Sequence, residues 1–115
     1  LENGEMITNA GKGALCMNCH KSRRDAEDYT GPDFGDSSHY GPHHGPQAEI
    51  LSGKNMPTFG KTLPSSPHLS ALENACVDCH MAESNSMSHT SGYHTFSMVD
   101  SSGLDNVESC APCHC

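Results

Sequence analysis

The sequence predicts one small domain spanning residues 1–115. It should be mostly irregular chain with a few short α-helices and little or no β structure, folded around something other than its own side chains. Three observations predict this. Val, Ile, Leu and Phe together make only 15 of the 115 residues, Trp is absent and the formal charge is −8. Such a composition cannot bury enough apolar surface to offset the entropy of ordering the chain. Seven Cys and nine His are the second observation, since these residues staple a chain or hold a metal or cofactor. The third is that helical signals are short and sit beside the cysteines, and no run alternates apolar and polar residues long enough for a strand.

The elements follow in order. Residues 13–20 read as one or two helical turns carrying a first pair of cysteines. Residues 28–46 are a loop rich in Gly and Pro. Gly45-Pro46 then opens a helix with Pro at its first position, residues 47–51 fill it and Gly53 ends it. After a loop over 53–67, Ser66-Pro67 opens another helix, expected to run through Leu69, Leu72 and Ala75 into a second cysteine pair. A Ser-rich loop covers 84–103, and Asp105 to Glu108 reads as a capping box leading into a third pair. The segments between the pairs do not align with one another, so no solenoid repeat is expected.

Six of the seven cysteines fall into three copies of one pattern: Cys16-Met17-Asn18-Cys19-His20, Cys76-Val77-Asp78-Cys79-His80 and Cys110-Ala111-Pro112-Cys113-His114. Each is C-x-x-C-H, the attachment site of a c-type haem. Two thiols one helical turn apart add across the two vinyl groups on a porphyrin edge, and the next residue, His, ligates the iron from the proximal side. A zinc site would pair two C-x-x-C knuckles with no need for His after each. A redox C-x-x-C would occur once, in a βαβ setting that is missing here. The pattern therefore predicts three haem c groups on Cys16/Cys19, Cys76/Cys79 and Cys110/Cys113, with His20, His80 and His114 as proximal ligands. The macrocycles then supply the core that the side chains lack, and the thioethers staple the chain to them.

Six further histidines remain for three distal positions. His43 and His44, stiffened between Pro42 and Pro46, point in two directions and can serve two irons; His43 is the first choice. His94, in Gly92-Tyr93-His94-Thr95-Phe96, and His68, after Ser66-Pro67, are the other candidates, whereas His39 and His89 read as surface or hydrogen-bonding residues. Met56 sits in an Asn-Met-Pro-Thr-Phe run like the Met-Pro loop of single-haem cytochromes c, but with this many spare histidines it reads as a gap filler. Cys115 reads as a free or oxidised thiol, or as a point where a longer chain continues, with an intermolecular disulfide as the alternative.

The bulk numbers exclude other classes. No stretch approaches the roughly 18–20 apolar residues of a membrane span, and the acidic balance argues against nucleic acid. Lys21, Arg23 and Arg24 form one small basic spot, read either as a solvated turn or as partners for haem carboxylates. No basic and apolar leader opens the chain, so an export signal is expected to be absent from this sequence rather than from the protein. Covalent haem is attached after export, which predicts a periplasmic or extracellular location.

The order C-x-x-C-H-K, an Arg/Asp-rich turn, His-His-Gly-Pro-Gln with a short helix ending in Gly, Pro-His before C-V-x-C-H-M, then His-Thr-Phe and a last C-x-x-C-H resembles multihaem c-type cytochromes of metal-respiring and anaerobic prokaryotes. The resemblance covers most of residues 14–114 and implies a small multihaem cytochrome c wrapped around three haems. It implies electron transfer through closely spaced, bis-histidine irons, with distal roles on His43 or His44, His68 and His94. Redox partner proteins or a terminal acceptor would be its partners, and some members polymerise into extracellular filaments, so a homopolymer with haem-to-haem contacts is a second expectation. The rival class is a small reductase with one open iron. The sequence offers no C-x-x-C-K variant and no shortage of His to favour it.

Overall fold

Among the described residues five helices, each of five or six residues, carry the fold: α1 (Gly13–Met17), α2 (Ala26–Thr30), α3 (Gln47–Ser52), α4 (Pro67–Ala71) and α5 (Cys76–His80). Two 3₁₀ turns follow at Tyr93–Thr95 and Val107–Ser109. The computed structural model describes residues 1–30, 45–84 and 90–114, and among these the only β pairing is an isolated bridge between Val99 and Asp105. His39, His43, His44, His89 and Cys115 lie outside the described residues. Helices this short do not persist alone, so each is held by contacts from elsewhere in the chain.

Local signals account for α1, α3 and the start of α4. After α1 the chain keeps winding, with the His20 amide donating to the Cys16 carbonyl at 2.9 Å. α3 begins one residue later than the sequence suggests: Pro46 is its N-cap rather than its first residue, and accepts from the Ile50 amide at 2.9 Å. Gly53 ends it in the left-handed region at φ 68°, where a Cβ would also lie 2.4 Å from the Pro64 carbonyl oxygen. Ser66 caps α4 by accepting from the His68 amide at 3.3 Å, with Pro67 in the first turn.

Long-range contacts overrule the sequence in three places. The helix expected to run from Ser66-Pro67 into the second motif breaks after Ala71. Leu72 is extended and Ala75 has φ 47°. The break is tertiary. Asp78 reaches back to the Asn74 amide at 2.8 Å, giving α5 its own start, and Asn74 in turn accepts from the Lys12 amide at 3.3 Å. The Gly11–Gly13 backbone lies directly on this junction: a Cβ on Gly11 would be 2.0 Å from the Glu73 oxygen, and one on Gly13 would be 2.9 Å from the Cys76 nitrogen. Secondly, α2 occupies the start of the expected 28–46 loop. Asp25 accepts from the Glu27 amide at 3.0 Å, and Asn55 accepts from the Ala26 amide at 2.9 Å. Thirdly, the expected capping box at Asp105–Glu108 does not form. Asn106 is the N-cap without a side-chain cap bond, its own amide donates to Met98 O at 2.7 Å, and the turn is 3₁₀.

The side-chain core is as thin as the composition demands. Ala10, Met17, Ala48, Leu69 and Ala75 form it, with Leu1, Ile7, Leu51 and Cys76 packed at its edge. Leu15, Leu104 and Val107, all close to cysteine motifs, are 77%, 68% and 62% exposed.

Candidate metal centres

Each motif presents its residues from a wound segment. The first runs off the end of α1, the second is α5 itself, and the third follows the 3₁₀ turn Val107–Ser109, with the His114 amide bonded to the Cys110 carbonyl at 2.8 Å. The i to i+4 bond at the first and third motifs, and the helix at the second, place both thiols on one edge with the histidine a turn below the first of them. All six motif cysteines are free thiols.

The three motifs converge. α1 packs on α5, and α5 packs on the turn before Cys110, so both outer motifs adjoin the second. The thiols register this. Burial pushes the Cys76 thiol up from its ordinary value, and neighbouring Cys16 adds to the effect. Burial does the same at Cys79, with Cys110, Asp78 and Cys113 adding to it. Cys76 and Cys79 are half-buried, whereas Cys19, Cys110 and Cys113 are exposed.

The described candidate ligands, His20, His68, His80, His94 and His114, are all exposed. Two are paired by position. The ring of His68, on α4, stands 6.1 Å from that of His114, with 64° between their planes. His80 is tied through its Nδ1, 3.0 Å from the Phe96 carbonyl oxygen. His94 lies edge-on to the Phe96 ring at 6.2 Å. Of the distal candidates, His68 thus meets a proximal histidine and His94 sits beside the second motif, while His43 and His44 lie outside the described residues.

Each motif offers the two thiols and one imidazole that a covalently attached haem would use. Among the described residues no three His, Cys, Asp or Glu side chains gather to hold one ion. A porphyrin iron asks for only two protein ligands. The exposed aliphatic side chains beside the motifs offer the apolar surface that a macrocycle face would cover. The basic spot is partly engaged within the protein: Lys21 pairs with Glu2 at 2.6 Å, and Arg24 stacks over Tyr29 at 4.8 Å. Met56 lines a polar cleft of about 620 Å³, with Glu5, Asp25, Asn55 and Lys61, whose walls contain no Cys or His.

Two features beside the motifs left no mark in the sequence. Behind the first motif, Glu49 of α3 is fully buried. Its Oε1 accepts from the Ser22 amide at 2.9 Å, and the Ala48 amide donates to the His20 carbonyl at 3.0 Å. The other is the Phe96 carbonyl on His80, a backbone atom that no residue pattern announces. Set against protein-family models, curated proteins and solved structures, the chain matches none of them.

Proposed function

We propose that this protein transfers electrons through three covalently bound c-type haems. Cys16/Cys19, Cys76/Cys79 and Cys110/Cys113 would form the thioethers, and His20, His80 and His114 would ligate the irons on their proximal sides. The observation that carries the reading is the His68–His114 pair, with ring centres 6.1 Å apart. Two imidazoles bound to opposite sides of one metal, each through a bond of about 2.0–2.1 Å, have ring centres roughly 6 Å apart. His68 would accordingly hold the iron at the third motif together with His114.

Bound haem supplies a one-electron couple, and the chain does the rest. Paired imidazoles would hold an iron at fixed coordination. The packing of α1 and the Val107–Ser109 turn on α5 sets the motifs in the order first, second, third. Redox proteins or a terminal acceptor are the partners this function requires, and covalent haem implies a periplasmic or extracellular site of action. No helix among the described residues is long and apolar enough to cross a membrane.

The test is to produce the chain with a c-haem attachment system and count haem by its pyridine adduct. Three haems per chain are expected, with low-spin spectra when oxidised and reduced and no change on adding carbon monoxide. His68→Ala is expected to leave three haems but convert one of them to a carbon monoxide-binding form. A wild-type protein with an open iron would instead point to a reductase, and a chain that attaches no haem would sink the reading.

A further inference from the structure

The second motif is held from outside by a small closed loop. The Gly92 amide donates to Ser97 O at 2.7 Å, and the Tyr93 amide to Ala82 O, two residues beyond His80, at 3.3 Å. Thr95 ties the interior: its Oγ1 donates to Gly92 O at 2.5 Å and accepts from the Ser97 amide at 3.2 Å. Gly92 is buried with φ 66°, and a Cβ there would stand 2.1 Å from the Ala82 oxygen. Tyr93 and Phe96 also take positive φ, 48° and 57°, conformations that cost L-residues roughly 1–2 kcal/mol each. The product of this closure is one aimed atom, the Phe96 carbonyl oxygen, 3.0 Å from His80 Nδ1.

We infer that the Gly92–Ser97 loop is a positioning clip that fixes the tautomer and orientation of His80 and sets the potential of the second haem apart from the other two. The inference rests on reading His80 as a haem ligand. A carbonyl oxygen only accepts, so Nδ1 carries the proton and Nε2 keeps its lone pair for iron. Donation from Nδ1–H makes the imidazole a stronger base, which favours ferric iron and lowers the potential. Thr95 and Gly92 are thus positioning residues that act through Phe96. The carbonyl meets His80 on the ring edge opposite the iron-binding nitrogen, so the clip lies on the proximal side of the second haem.

The test is a redox titration of the haem-loaded protein, with the three haems resolved by NMR. Thr95→Val and Gly92→Ala are each expected to raise the midpoint potential of the second haem while the first and third hold. Thr95→Ser, which keeps the hydroxyl, is expected to restore it. A folded Gly92→Ala protein in which the second haem does not move, or in which all three move together, overturns the inference. If Gly92→Ala does not fold, the wild-type protein decides: in the reduced state the His80 Nδ1 proton should exchange slowly with solvent, and fast exchange overturns the clip. Failure to attach any haem would defeat the electron-transfer reading and this inference together; three haems with an unmoved second potential defeats only the clip.

Discussion

The first and third motifs carry the same C-x-x-C-H pattern in opposite surroundings. Behind the first, the protein has built a bed. Glu49 is buried and bonded to the Ser22 amide, Asn55 ties α2 and the N-terminal segment together, and Met17 lies in the core. Behind the third there is a 3₁₀ turn, two exposed thiols and a buried Asn106 with both side-chain polar atoms unpartnered, where Glu49 leaves only its Oε2 so. The first motif thus rests on buried, hydrogen-bonded protein, and the third on a turn with exposed thiols. The difference teaches that one sequence pattern can sit in two quite different surroundings.

The largest effect should come from the seam that sets the first motif against the second. Gly11→Val places a branched side chain where a Cβ alone would be 2.0 Å from Glu73 O, at a φ of 50°. Overpacking and left-handed strain together predict a loss of about 2–5 kcal/mol, measured as a fall in thermal midpoint of the haem-loaded protein. A variant of unchanged stability would remove the seam from the argument.

Next comes a matched pair. Glu49→Ala leaves the buried Ser22 amide without its acceptor and should cost about 1–3 kcal/mol, whereas Asn106→Ala removes a side chain with no hydrogen bonds to lose and should cost about 1 kcal/mol or less. Denaturant titrations of the two variants check this, and equal losses would erase the contrast between the two ends.

The smallest effect is kinetic. In haem-free protein, burial raises the Cys76 and Cys79 thiols, so their thiolates form only at higher pH than usual. Near neutral pH, alkylation of Cys110 and Cys113 should therefore outrun that of Cys76 and Cys79, with the gap narrowing as pH rises. Mass spectrometry of a timed series reads this directly, and simultaneous labelling would count against the central placement of the second pair.

What could be read from the sequence was what local chemistry decides. Gly53, Ser66 and Pro67 announce helix ends through their own backbone preferences, and the thin core followed from composition. The break at 72–75 was not legible, because it is imposed by Gly11 and Gly13 from some 60 residues away in the chain. Nor was α2, whose first amide is satisfied by Asn55. The three motifs could be found by pattern, but not that both outer ones lean on the middle one. Nor was it legible that the His68 ring stands beside that of His114. The Phe96 carbonyl had no letter to betray it.

The seam between the first two motifs has a consequence for how much the sequence is free to change. Its closest approaches are backbone against backbone, Gly11 on Glu73 and Gly13 on Asn74. Such a joint specifies two glycines, the Asn74 side chain and little else. Residues 73 to 75 contribute mostly main chain there, with the Asn74 side chain accepting from the Lys12 amide, so selection acting on the joint would see their conformation and that one side chain. A protein assembled this way can rewrite most of its letters and keep its shape, so long as the glycines, Asn74 and the motif residues persist. Its architecture is written in few characters, spread thinly along the chain.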